Sequence, residues 1–567
     1  MIRMKWGVLT LLLALLGAIG ARAQVAWTFE RGQTIAVPFA LAGWQLHDLN
    51  GDGRSELLLI GSGGEVRTWA ADPGTGRLEA QPRGSLVLPH PKYAMLALAD
   101  FVGDGSTQLV VLSRRETTLY ELGAHGAFAP QGRTLARRAR LRLRTNLPVL
   151  ADIVQDVNGD GRPDLIVPRR KETEIWAARE APSANTLPPL RKVASVAVDI
   201  QEATEMEGHS LSDRLVSTFS IPSLSTLDLN GDKRLDLYVE LGCRRMFHMQ
   251  RPDGSIPEEP DVVLDLNRFQ DTSPEAALRP GRTLAGGKKA SYRMRDLTAD
   301  GIPDYVIAHR RKVWVFHGNK EQPQFTDPAN VIKVSDNVTA LLLLNLDDDP
   351  YPDLLIVKLQ IPTVATLLVG ALKSFEIDIT ALGYKNENGA RFSRAPAWRS
   401  ELHVRLPSIV GILKNPGALL DRVEQVARKF RPQRTGDLDG DGRMDTVLLS
   451  EDKTRIDVWR GHRAGADGPD ELDTVLRRLL FEEADKNWDI ERLLGFFDAL
   501  AGRRAAAITG GGEATAQITL LDPKRNQLQD FALGDLDGDG RAEIVVHYLP
   551  VGAGTDLFEI WRVPRVR

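Results

Sequence analysis

Nine-residue stretches crowded with oxygen-bearing side chains recur along this chain, and their spacing suits the binding of a hard cation. The first runs Asp48-Leu-Asn-Gly-Asp-Gly-Arg-Ser-Glu56. It returns from Asp100 to Gln108, Asp156 to Asp164, Asp228 to Asp236 and Asp296 to Asp304. Three further copies run from Asn345 to Asp353, Asp437 to Asp445 and Asp535 to Glu543. Oxygen side chains favour positions 1, 3, 5 and 9. Carboxylates packed this closely repel one another unless a cation lies among them. Oxygen ligands at alternate positions suit Ca²⁺, which takes six to eight oxygens at about 2.3–2.6 Å. In the first loop the side chains of Asp48, Asn50, Asp52 and Glu56 and the backbone carbonyl of Arg54 would be the ligands, with Gly53 allowing the sharp turn. Mg²⁺ asks for a stricter octahedron with retained waters. The ten histidines are scattered singly and the chain has one cysteine, so no zinc constellation exists.

An EF-hand loop begins in the same way but needs a bidentate acid at position 12. Here position 12 is Leu59, Val111, Val167, Val239, Ile307, Ile356, Leu448 and Val546. Position 9 therefore closes each loop, and the loop is a hairpin turn. Short apolar stretches precede the loops and aliphatic runs such as Leu57 to Ile60 follow them, as strands rather than helices. A third strand often ends in an aromatic, at Trp69, Tyr120, Trp176, Trp314, Trp459 and Trp561, whose expected role is packing between repeats. Each unit is thus strand, loop, strand, turn, strand and a fourth strand.

A four-stranded antiparallel unit repeated about an axis is a propeller blade. The sequence predicts an all-β fold, a β-propeller of eight four-stranded blades, with seven as the alternative. The last unit, Leu557 to Arg567, is short of its outer strand, and the segment Val25 to Pro38 is predicted to supply it. Such closure removes the exposed edge of an open ring.

Repeated with these flanks, the loops resemble the FG-GAP family, called VCBS repeats in bacterial proteins, to which the N-terminal propeller of integrin α-subunits belongs. The Phe-Gly and Gly-Ala-Pro elements that name that family are not evident. The resemblance covers residues 25–567 with interruptions, and it implies calcium ligands at positions 1, 3, 5, 7 and 9. In the complete loops these are Asp156, Asn158, Asp160, Arg162 and Asp164; Asp228, Asn230, Asp232, Arg234 and Asp236; Asp437, Asp439, Asp441, Arg443 and Asp445; and Asp535, Asp537, Asp539, Arg541 and Glu543. Asp296, Thr298, Asp300, Ile302 and Asp304 form a variant with a threonine at position 3. Asn345, Asp347, Asp349, Tyr351 and Asp353 form an acidic variant with Pro350 at the glycine position, which cannot take positive φ. The loop at Asp100 has Val102 and Gln108 at ligand positions and is predicted to be empty. About five to seven calcium ions are expected, each weakly held, with Kd about 10⁻⁴ to 10⁻³ M.

The balance of 72 basic and 76 acidic residues excludes an electrostatic nucleic-acid binder. Arg3 and Lys5, the apolar run Val8 to Ile19 and Ala21-Arg22-Ala23 form a signal peptide over residues 1–23, cut after Ala23. Its removal takes three positive charges and moves the formal charge from −4 to −7. Export places the propeller, 24–567, in the periplasm, at the cell surface or outside the cell, with no later stretch of spanning length. Cys243 is the only cysteine, so no internal disulfide forms, and it is expected in a buried strand. Two insertions, about 371–430 and 463–528, break the repeat. Helical spacing is read at 415–430, at Val475 to Phe481 and at Ile490 to Leu500.

Nothing in this pattern demands chemistry. The expected function is a binding or scaffold module for a protein or polysaccharide, with structural calcium. The alternative is a carbohydrate-active enzyme, a polysaccharide lyase or hydrolase, which would need convergent acids, bases or arginines at the axis. Gly208-His-Ser210-Leu-Ser212 lacks the closing glycine of a nucleophile elbow. A third reading gives function to the helical insertions, as a docking site for a partner.

Overall fold

A computed structural model describes residues 29–564 apart from 73–74, 114, 124–125, 138–145, 170–171, 179–189, 198–199, 206–213, 220–222, 270–289, 348, 361–373, 407–432, 451, 462–473, 475, 483–485, 490, 493, 496–512 and 553. The signal-peptide reading, the helix read at 415–430 and the Gly208 to Ser212 motif lie outside the described residues.

Short β-rich runs separated by Gly- and Asp-rich turns cannot continue as helices, and they pair with their neighbours in sequence. Eight antiparallel sheets of four or more strands result among the described residues. The first repeat is typical. Leu41–His47, Glu56–Gly61, Glu65–Trp69 and Gly84–Val87 pair in chain order. Two sheets gain a fifth, parallel strand: Val149–Leu150 beside Met95–Ala99, and Asn487–Asp489 beside Trp398–Leu406. A separate hairpin joins Ile200–Glu205 to Arg214–Phe219. Within the second insertion, Arg478–Glu482 is a π-helical turn whose Leu480 packs on Leu344, Leu346 and Leu355.

The eighth repeat contains Asn526–Gly534, Glu543–Pro550 and Leu557–Arg562, and its fourth strand is Glu30–Ala36 from the opposite end of the chain. Val37 N–H donates to the Asp556 carbonyl at 2.8 Å, and Arg31 pairs with the buried Glu559. The predicted closure is therefore present, with Glu30–Ala36 as the pairing portion of the segment.

Neighbouring sheets share apolar cores. Leu58 and Ile60 of the first sheet meet Leu109 and Val111 of the second. Leu57 and Leu59, on the opposite face of the same strand, meet Val545, Phe558 and Ile560 of the eighth. A strand covered on both faces reads as a continuous aliphatic run, which is why the strands after the loops lack alternation. Full burial of each such side chain contributes about 1.5–3 kcal/mol. The first strands of adjacent sheets approach one another, as Leu41–His47 and Gln433–Gly436 both approach Asn526–Gly534. These strands line the axis of a β-propeller.

Five of the six aromatic ends pack as expected, while Trp459 is half-buried at the end of its strand. Trp69 and Tyr120 are buried between sheets, and Trp176, Trp314 and Trp561 are partly buried against the shared cores. Cys243 departs from expectation. It lies half-buried in the turn between Asp236–Leu241 and Arg244–His248, against the aromatic cluster of the fourth and fifth sheets. Among the described residues no helix is long and apolar enough to cross a membrane.

Candidate metal loops

Each loop joins the first strand of its sheet to the second in one register. The residue before the loop pairs with position 9 in all eight repeats, from His47 with Glu56 to Gly534 with Glu543. Position 12 lies buried in the second strand of every sheet, as Leu59, Val239 and Val546 illustrate. The loops are hairpin turns of a single design.

Side chains of the loop hold its own backbone. In seven loops the position 1 aspartate accepts the position 4 N–H on Oδ1 at 2.6–2.8 Å. Its Oδ2 accepts the position 6 N–H at 2.7–2.8 Å. Both donors sit in left-handed backbone, which explains the glycines. Where glycine is missing, Lys233 at φ 68° and Ala299 at φ 61° take the same conformation. In all eight loops Oδ1 of position 5 accepts the position 7 N–H at 2.8–3.1 Å.

Position 9 was read from sequence as a metal ligand, and the structure gives it a further occupation. Its side chain is between 0 and 3% exposed in every repeat. One of its oxygens accepts the position 2 N–H at 2.7–3.0 Å. Gln108 makes this bond through its amide oxygen, so the second loop keeps its shape without a carboxylate there. In four repeats the other oxygen accepts a backbone N–H from just after the third strand: Gln250 to Asp236, Gly318 to Asp304, Asn386 to Asp353 and Gly461 to Asp445, at 2.7–2.8 Å. We call this contact the clamp. A backbone donor carries no signal in the sequence, so it could not be read there.

Burial penalises the charged form of these carboxyls, and the neighbouring loop acids add to the penalty. Glu56 and Asp164 are pushed up to about 7, and Asp236, Asp353 and Asp445 to about 6. Glu543 is pushed up to about 8. Asp164 Oδ1 is buried with no hydrogen-bond partner, in a loop whose Asp156 and Asp160 stand close enough to raise its pKa. An orphaned carboxylate oxygen among acids fits a cation. In the last two loops, carboxylate oxygens of Asp437, Asp439 and Asp441, and of Asp535, Asp537 and Asp539, lie within 4.8 Å of one another. Asn50, Asn158 and Asn230 occupy position 3 in the first, third and fourth loops, and each donates its amide N–H to the position 5 aspartate at 3.0–3.1 Å. Thr298 turns its hydroxyl to Asp296 at 3.3 Å.

The loops also touch one another. Ser55 N–H donates to the Asp535 carbonyl, Thr107 N–H to the Leu49 carbonyl and Ala542 N–H to the Asp437 carbonyl, at 2.6–2.7 Å. The eighth loop thus bonds to the first, and all these loops share one face. Gly51 permits this approach, since a Cβ there would stand 2.8 Å from the Gly105 backbone.

The sixth loop departs from the others. Asn345 takes the place of the position 1 aspartate and turns its amide N–H to the Asp349 carbonyl. Pro350 stands where the others use left-handed backbone. Lys385, one residue past the third strand, contacts Asp347 and lies 3.5 Å from Asp349.

Strand pairing and closure define the class of this protein as a β-propeller. No family model matches the chain, and no curated protein matches it. Among solved structures, the Vibrio cholerae biofilm matrix protein Bap1 aligns over 95% of this chain and 92% of its own, at 9% identity and a TM-score of 0.30. An Agrocybe aegerita lectin, whose structure concerns recognition of non-reducing terminal N-acetylglucosamine, aligns over 62% of this chain and 79% of its own, at 15% identity and a TM-score of 0.27. The Dos1 propeller aligns over 56% of this chain and 65% of its own, at 9% identity and a TM-score of 0.23.

Proposed function

We propose that this chain is an exported calcium-binding propeller of the FG-GAP or VCBS kind, acting outside the cytoplasm as a scaffold that binds a protein or polysaccharide. The observation that carries this reading is the ring of loops of one register, in which buried acids face their neighbours and Asp164 keeps an unpartnered oxygen. Calcium would be held by positions 1, 3, 5 and 9 and the position 7 carbonyl of the loops at Asp48, Asp156, Asp228, Asp437 and Asp535. The variant at Asp296 offers the same set with the Thr298 hydroxyl. The bound ion supplies positive charge among carboxylates that otherwise repel. The chain's own part is to fix those carboxylates through backbone N–H bonds before any ion arrives, which limits the ordering that binding must impose.

The role of the metal in this reading is structural. At ~1 mM calcium a site of Kd ~10⁻⁴ M contributes about 1.4 kcal/mol by mass action. Several such sites are large beside a typical total stability of about 5–15 kcal/mol. The test is calcium titration of the EDTA-stripped mature protein, followed by calorimetry and melting temperature. Five to seven ions with a large rise in melting temperature are expected. A melting temperature that ignores calcium would overturn the structural role.

A further inference from the structure

In the four clamped repeats the clamp fixes the residue just before its donor, and in two of them that side chain reaches the acids of the loop. The residue before the clamp donor is Met249 in the fourth repeat, His317 in the fifth, Lys385 in the sixth and Arg460 in the seventh. Two of these are permanent cations in equivalent positions. Lys385 contacts Asp347 at position 3 and lies 3.5 Å from Asp349 at position 5. Arg460 stands 2.6 Å from Asp439 at position 3 and 3.3 Å from Asp441 at position 5. Both ligand positions at which a loop would offer free carboxylates to calcium therefore face a charge from the chain itself.

In the seventh repeat the rest of the loop is intact, with Asp437 cradling Gly440 and Gly442. In the sixth it is not. Asn345 replaces the cradling aspartate and spends its amide on Asp349. Pro350 removes the left-handed residue. As at Asp445 of the seventh loop, both oxygens of Asp353 are taken by backbone, from Leu346 at 2.9 Å and from Asn386 at 2.8 Å. The Asn386 side chain is itself buried and tied to the Leu297 and Pro352 carbonyls, so the residue preceding it has a fixed base.

We propose that the sixth loop carries its cation within the chain, the Lys385 ammonium taking the position that calcium takes in the other acidic loops. This loop then holds a permanent countercharge of its own, and it does not respond to calcium. The inference rests on the calcium reading of the other loops. An ammonium satisfies two carboxylates by hydrogen bonds and charge without the six to eight ligands that Ca²⁺ requires. The geometry of one more acidic loop is thereby made independent of the metal supply, next to the insertion segment Arg478–Glu482 that packs on the same sheet.

The experiment counts calcium ions per chain by titration calorimetry, and follows melting in EDTA, for the full mature protein. D539N, in the eighth loop, is expected to lose one ion relative to wild type. D349N is expected to keep the wild-type count. Loss of one ion in D349N would overturn the proposal. K385M is expected to melt lower than wild type in EDTA, and D347N/K385M to recover part of that loss because the unpaired carboxylate is gone. If K385M melts as wild type does in EDTA, the proposal also fails. If wild type binds no calcium at all, the calcium reading of the other loops falls, and the K385M and D347N/K385M pair still decides whether Lys385 is the loop's cation.

Discussion

The eighth loop, Asp535–Glu543, and the sixth, Asn345–Asp353, carry four acids each, yet they are built in different ways. In the eighth, Asp535 holds the N–H groups of Gly538 and Gly540, and oxygens of Asp535, Asp537 and Asp539 converge within 4.8 Å. In the sixth, Asn345 replaces the aspartate, its amide N–H bonds to the Asp349 carbonyl, and a lysine from another turn meets the acids. The second loop, Asp100–Gln108, completes the comparison. It keeps the Asp100 cradle and the position 9 bond with two ligand positions missing. Turn geometry and metal competence are therefore separable properties. The first survives in the sixth loop with Asn345 at position 1 and Pro350 at position 6. The second needs free oxygens left over after the backbone has been satisfied.

Removing calcium from the whole ring is the coarsest way to probe that separation. EDTA is expected to lower the melting temperature by an amount that grows with the number of loaded loops, each contributing about 1.4 kcal/mol at tenfold excess over Kd. Differential scanning calorimetry with and without 1 mM calcium measures it. The pH response of the stripped protein follows. The position 9 carboxyls of Glu56, Asp164, Asp236, Asp353, Asp445 and Glu543 have folded pKa values raised above their unfolded ones, so the folded state binds more protons. Their contribution is fully present below about pH 4 and is lost as pH rises through about 6 to 8, the values of Asp445 and Glu543. The stripped protein should therefore melt lower at pH 8 than at pH 5.5 on their account. Calcium, which favours the ionised carboxylates, should flatten that slope. An unchanged slope with calcium would separate position 9 from the metal.

Single substitutions sharpen the comparison between loops. D535A removes the acceptor of two backbone N–H groups and is expected to cost about 2–3 kcal/mol, whereas N345A removes the neutral amide donor to the Asp349 carbonyl and is expected to cost less, about 1 kcal/mol. Chemical denaturation in EDTA isolates this difference from metal loss. Smaller effects are expected at the glycines. G442A meets no atom within 4 Å and carries only the penalty of φ 79°, about 1 kcal/mol. G51A adds a close approach to the Gly105 backbone at the contact between two loops, and is expected to cost more, about 1–3 kcal/mol in all. Equal melting temperatures for the two variants would mean that contact between the loops adds nothing.

Much of this molecule was legible before any coordinates. The repeat located all eight hairpins, because the loop residues act locally: Asp48 reaches Gly51 and Gly53 within its own turn. The aliphatic runs marked strands covered on both faces, and the orphan segment before the first loop supplied Glu30–Ala36, the strand that closes the ring. What the repeat concealed was the double use of position 9, since the Leu49 N–H that Glu56 accepts looks like any other backbone donor. Cys243 was placed in a strand because its neighbours are strand formers, yet it falls in the turn after Leu241.

The sequence by itself determined the turns, the hairpin pairing at each loop and the likeness of one unit to the next, because these depend on residues within about a dozen positions of each other. Tertiary structure alone decided which loops face a cation from their own chain. Lys385 lies 36 residues beyond Asp349, and Arg460 lies 19 beyond Asp441. Whether such a side chain meets the loop depends on where the third strand ends relative to the first, a relation set by sheet pairing and by the clamp on the buried carboxyl.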